Sequence, residues 1–125
     1  MAEKLVIMLL NLNPDIPGTL GTPFFHATAA AAMELEVSVY FASRTAKLLR
    51  RGFAESLFPG KSHEKSVYSF MRDAHEAGAR FYACGVALTE HEIGQDETIP
   101  EVDGIRGAAA FIGEIAEDGV IVLTY

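Results

Sequence analysis

The chemistry available to this chain is limited by one residue, Cys84, the only cysteine among its 125 residues. A lone thiol cannot close an internal disulfide, so the fold does not depend on an oxidising compartment. Nor can it assemble a thiolate metal site within one chain. It is a buried filler or a reactive nucleophile. It stands in the run ARFYACGVAL, where a strand-forming stretch gives way to glycine and then to helix formers. A thiol at such a junction faces unpaired backbone N–H groups and the positive end of a helix dipole, which favour thiolate over thiol. Gly85 allows a sharp turn and leaves the sulfur uncrowded.

Other reactive side chains form no familiar pattern. Three His-Glu pairs occur, at His63, His75 and His91, but the positions four residues on hold Val67, Ala79 and Gln95. The metalloprotease spacing is therefore excluded and no metal site is expected. Gly60-Lys61-Ser62 resembles the end of a phosphate loop, yet Glu55 stands where that loop needs its first glycine. No serine lies in a G-x-S-x-G elbow, and Gly18 and Gly21 make no dinucleotide fingerprint.

Five strand-like segments must position these residues: Lys4 to Leu10, Glu36 to Ala42, Ala79 to Cys84, Val102 to Ile105 and Gly119 to Tyr125. The first, second and last are nearly continuously apolar, as in strands covered on both faces of a parallel sheet. Helical stretches alternate with them. Thr22-Pro23 reads as an N-cap and first helical residue, opening an alanine-rich helix to about Leu35. Within Ser62 to Ala77, residues Val67, Phe70, Met71 and Ala74 share one face, and Gly78 suits the left-handed turn beyond. A helix starts near Val86. A last one, Gly107 to Glu117, is expected to turn Ala110, Phe111 and Ile115 inward. Residues 43–61 carry Leu48, Leu49, Phe53, Leu57 and Phe58, which either cap the core or meet another subunit. The pattern is that of one α/β domain over residues 1–125 with right-handed crossovers.

Chemistry in such sheets gathers at the carboxyl ends of the strands. That edge collects Asn11 and Asn13, Ser43 and Arg44, Cys84 and Gly85, then Arg106 and Gly107. The third strand is expected at or beside the centre, placing Cys84 at the mouth of the crevice. Arg44 would add a cation from the neighbouring strand, and His26, early in the first helix, would approach the thiol. Asn11, Arg44, Gly85 and His26 are thus the candidate binding residues around a catalytic Cys84.

The net charge is −7, from 17 acidic and 10 basic residues. It disfavours nucleic acid and anionic membrane surfaces as partners. No apolar run approaches the length of a membrane span, and Leu5 to Leu10 is too short for a signal-peptide core, so a cytoplasmic location is expected.

These segments together resemble the DsrE/DsrF-like sulfur-relay family, including its TusD-type subunits. The likeness runs from KLVIMLLN and its Pro/Gly-containing loop through the Ala-rich helix and EVSVYFAS. It continues through ARFYACGVAL to GIRGAAAFIGEI and the closing strand. Residues 43–61 diverge from it. The resemblance implies a three-layer α/β/α sandwich on a five-stranded parallel sheet, and a dimer, trimer or hexamer. It also implies sulfurtransferase-type chemistry: Cys84 taking a persulfide from a donor protein and handing it to an acceptor, without metal or organic cofactor. The competing expectation is a non-catalytic oligomeric module that binds a small molecule or a protein, with Cys84 as packing.

Overall fold

The computed structural model describes residues 2–125. Five strands form one all-parallel sheet: β1 Lys4–Leu9, β2 Glu36–Phe41, β3 Arg80–Ala83, β4 Val102–Ile105 and β5 Val120–Thr124. Their order is β4-β3-β2-β1-β5. Four strands therefore follow one another across the sheet, and the chain then returns to the far side of β1. Right-handed crossovers in a constant direction put the intervening helices on one face; the reversed last step puts its helix on the other. The sheet is an α/β/α sandwich, as the sequence led one to expect.

The first face carries α1 (Thr22–Ala32), α2 (Val67–Glu76) and the two-turn α3 (Gly85–Glu90). Odd-numbered residues of β1 and β2 point here, since side chains alternate along a strand. Leu5, Ile7, Leu9, Val37, Val39 and Phe41 are all buried. Phe24 of α1 stacks on Phe41 at 6.0 Å between centroids, and Phe41 meets Phe81 edge-on at 5.2 Å. These rings join α1, β2 and β3 into the centre of the core.

Residues 43–61 cap that core. Ser43–Leu49 is a 3-10 helix in which Thr45, Ala46, Leu48 and Leu49 are buried. Phe53 and Leu57 pack against the core cluster. The segment is pinned to the 92–99 region through Ile99 N–H to Leu49 O at 2.9 Å and Arg50 Nη2 to Glu92 O at 2.9 Å.

Element ends shift modestly from the sequence expectation. The α1 helix begins at Thr22 itself, with Gly21 at the cap, and stops at Ala32, where Glu34 takes a left-handed φ of 68°. The α2 helix starts only at Val67. Ser66 is its cap, accepting from Ser69 N–H at 3.1 Å, so residues 62–65 lie outside the helix. Gly78, at φ 120°, supplies the left-handed turn its position called for.

The second face differs from expectation. Among the described residues only α4 (Ala108–Ile115) covers it. Ala110 is exposed, Phe111 and Ile115 are half-buried, and the buried residue of this helix is Glu114. The closing strand, read as covered on both sides, is an edge strand whose Ile121, Val122 and Leu123 are exposed. Its apolar composition is real; within one chain no layer lies over it.

Candidate functional site

At the carboxyl edge, β3 ends at Ala83 and Cys84 takes the cap position of α3. The ladder holds it in place: Cys84 N–H donates to Phe41 O at 3.1 Å, and Cys84 O accepts from Leu88 N–H at 3.0 Å. The side chain is half-buried against the core and makes no capping bond to α3. Gly85 leaves room for the end of β4. A Cβ there would lie 3.3 Å from Ile105 Cγ2, so its absence lets α3 start tight against the end of β4. β3 lies beside the central β2, where the sequence placed it.

The other candidates do not converge on the thiol. Arg44 spends its guanidinium on the loop after β1, donating from Nε to Leu12 O at 3.1 Å and from Nη2 to Asn11 O at 2.7 Å. Asn11 takes part through its backbone, which also donates to Tyr125 O. The expected cation beside Cys84 is thus committed to holding a loop. His26 is exposed and pairs through Nδ1 with the Tyr125 hydroxyl, just beyond β5. β5 lies three strands from β3, a separation of about 14 Å at the usual strand spacing. The structure therefore directs His26 away from Cys84: Phe24 takes the side of α1 that faces Phe41 and Phe81, and His26, two residues on, points to a different side of the helix.

A second constellation, not singled out in the sequence, lies on the α4 face. Glu114, only 8% exposed, accepts from Ser38 Oγ at 2.7 Å and from the Tyr40 hydroxyl at 2.5 Å. Lys4 Nζ stands 3.2 Å from Oε2, the oxygen that Ser38 also bonds, and Arg106 Nη1 lies 3.4 Å from Oε1. Arg106 also donates to the Tyr40 hydroxyl at 3.2 Å and lies 3.7 Å from the Tyr82 ring centroid, a close cation–π contact. Burial pushes the Glu114 carboxyl up, but hydrogen bonds from Tyr40, Ser38 and Lys4 outweigh it and hold the group below the ordinary glutamate range. Burial, then the bond to Glu114, raises the Tyr40 phenol.

This network walls a concave surface of about 660 Å³, whose rim includes Glu36, Arg80 and Glu117. Cys84 is not among its lining residues. Two signals in the sequence pointed to it. Ser38 and Tyr40 fall on alternate positions of an otherwise apolar strand, and Glu114 is the one charge in the helix AAAFIGEI.

The comparisons with known proteins settle what kind of chain carries these features. The profile of the DsrE/DsrF-like family matches residues 7–125. The chain belongs to the DsrE/DsrF-like family. Solved structures of the same fold include the ychN protein from E. coli, at 16% identity and a TM-score of 0.72, covering 98% of this chain and 99% of that one. The protein MTH1491 from Methanobacterium thermoautotrophicum aligns over 98% of both chains at 16% identity, with a TM-score of 0.68. BT1422 from Bacteroides thetaiotaomicron aligns over 98% and 95% at 13% identity, with a TM-score of 0.63. No curated protein sequence matches the chain. For a DsrE/DsrF-like chain the family suggests a function of the sulfur-relay type. No helix among the described residues is long and apolar enough to cross a membrane.

Proposed function

We propose that this protein carries sulfur as a persulfide on Cys84. The observation that carries the reading is the position of the chain's only cysteine: it is half-buried, at the strand-to-helix junction of β3 and α3, in a chain that matches a sulfur-relay family almost throughout. In the loading step the Cys84 thiolate attacks the outer sulfur of a donor persulfide, R–S–SH. The Cys84 S–S bond forms, the donor S–S bond breaks, and R–S⁻ leaves. An acceptor thiolate reverses the exchange at the outer sulfur. Oxidation states balance, so no redox cofactor is required. Arg44 acts indirectly, fixing the loop after β1; Asn11 belongs to that loop. His26 has no part in the step.

Donor and acceptor are proteins with reactive cysteines, and the carrier itself self-associates. The exposed Ile121, Val122 and Leu123 support self-association, because an apolar edge strand left unpaired marks a protein-binding edge.

Intact mass spectrometry after incubation with a persulfide donor tests the reading. The wild type should gain the mass of one sulfur atom and Cys84→Ser none. A wild type that gains nothing, or a variant that gains equally, overturns it. A second reading, a binding module in which Cys84 is packing, is favoured by one observation: the 660 Å³ basin does not include the thiol. Loading of Cys84 decides between them.

A further inference from the structure

The segment after β2 gathers positive charge that meets no carboxylate. Arg50 N–H donates to Lys47 O and Phe53 N–H to Arg50 O, each at 3.1 Å. Successive i→i+3 bonds bring side chains three positions apart to one side. Lys47, Arg50 and Phe53 accordingly line one hollow of about 220 Å³, which His91 and Ile93, just beyond α3, complete. In a chain of net charge −7 a cation readily finds a carboxylate, and Lys4, Lys65, Arg72, Arg80 and Arg106 each do. Among the described residues, Lys47, Arg50 and His91 take part in no ion pair. Glu90 and Glu92 flank His91 along the chain, yet Glu92 meets Arg50 through its carbonyl, 2.9 Å from Nη2, and not through its carboxylate. Arg50 Nε is also the one buried side-chain nitrogen or oxygen among the described residues without a hydrogen-bond partner.

Basic groups held together without a counter-charge repel one another, and an anion among them relieves that repulsion. The carbonyls that end α3 would oppose an anion, but those of His91 and Glu92 already accept from Arg50 Nη2. The rest of the wall is apolar, since Phe53 packs on the core and Ile93 is buried. We infer that this hollow binds a small organic phosphate, its charged end among Lys47, Arg50 and His91 and its aliphatic body against Phe53 and Ile93. A phosphate monoester suits three basic groups better than a carboxylate, because it carries close to two charges and three strong acceptor oxygens. The volume admits roughly seven water-sized groups at about 30 Å³ each, enough for a phosphate with a short chain and too little for a nucleotide. Cys84 caps the opposite end of α3, roughly 10 Å away along the helix at about 1.5 Å per residue. The site therefore stands or falls independently of sulfur transfer.

Amide NMR titration of the whole protein tests it, with inorganic phosphate, propyl phosphate and propanol at an ionic strength fixed by sodium chloride. Both phosphates should give saturable shifts centred on Lys47, Arg50, Phe53, His91 and Ile93. Propyl phosphate should bind about threefold or more tightly than inorganic phosphate, and propanol not measurably. Lys47→Gln should weaken binding by about fivefold or more, and Lys47→Arg, which keeps the charge, should restore most of it. Lys61→Gln removes the same charge from an exposed position outside the hollow and should bind as the wild type does, as should Cys84→Ser. A wild type without saturable shifts at these residues overturns the site. Equal weakening by Lys47→Gln and Lys61→Gln reduces the effect to net charge and overturns it too. Loss of binding in Cys84→Ser would put the anion at the thiol instead, and propanol binding as well as propyl phosphate would deny the basic groups any part.

Discussion

The Tyr40 hydroxyl donates to Glu114 Oε1 at 2.5 Å, joining the central strand β2 to α4 on the second face of the sheet. The two residues lie 74 positions apart, and α4 makes few other polar contacts with the sheet. The carboxylate is therefore the anchor that fixes how α4 lies.

Removing that anchor should be costly. Glu114→Ala leaves the Tyr40 and Ser38 hydroxyls and two cations without their common partner. The expected loss is on the order of 3 kcal/mol in urea unfolding. Tyr40→Phe removes one donor only and should cost about 1 kcal/mol. Equal effects from the two would mean that the network is not centred on Glu114.

Glu114 also imposes a pH dependence. Its carboxyl titrates lower in the folded chain than in the unfolded one, so the unfolded state binds the extra proton first. Its contribution is complete above the unfolded value of about 4.3 and is lost as pH falls through the folded value. Melting temperature should therefore drop on acidification below about pH 4.5, more steeply for the wild type than for Glu114→Gln. Parallel curves would refute this.

Asp103 closes an irregularity in the sheet. The β3–β4 register shifts between Phe81 and Tyr82. There the Phe81 N–H donates to Asp103 Oδ2 at 2.8 Å, and the same oxygen lies 3.0 Å from His75 Nε2 of α2. Asp103→Ala should cost about 1–2 kcal/mol and raise amide exchange at Phe81 in particular. Unchanged exchange there would show that water replaces the carboxylate freely.

Cys84 is half-buried rather than enclosed, so a native-state thiol reagent should titrate one group per chain. Cys84→Ser should give none. If the wild type reacts only after unfolding, the sulfur is inaccessible to any donor and the carrier reading fails with it.

Packing at the rings is a further check. Phe41 packs with Phe24 and Phe81 in a three-ring cluster and is fully buried. Phe41→Ala should cost about 3–5 kcal/mol, enough to threaten folding in a domain of ordinary stability.

Much of this architecture was legible in local pattern. Continuous apolar runs separated by helix periods announce strands in a parallel sheet, and β1 and β2 read that way because an unbroken apolar run of strand length suffices to identify them. Gly78 was readable because only a residue without Cβ takes that φ comfortably. Cys84 at the end of β3 needed no more than the boundary between two local propensities. The overestimate of α2 by five residues at its start came from the same source: residues 62–65 have no feature that forbids helix, and Ser66 decides the start by capping.

What local pattern could not give is which layers cover which faces. The strand order decides that β5 is an edge, so its apolar run is exposed although its sequence reads as interior. It decides that His26 meets Tyr125 and not Cys84, and that Arg44 is taken up by carbonyls of the β1 loop. Above all it brings Lys4, Ser38, Tyr40, Arg106 and Glu114, scattered along the whole chain, to one carboxylate. The sequence alone determined the elements and the position of the thiol, because those follow from neighbours along the chain. The polar network and the uncovered face exist only after the crossovers have been made, because their partners are neighbours in space alone.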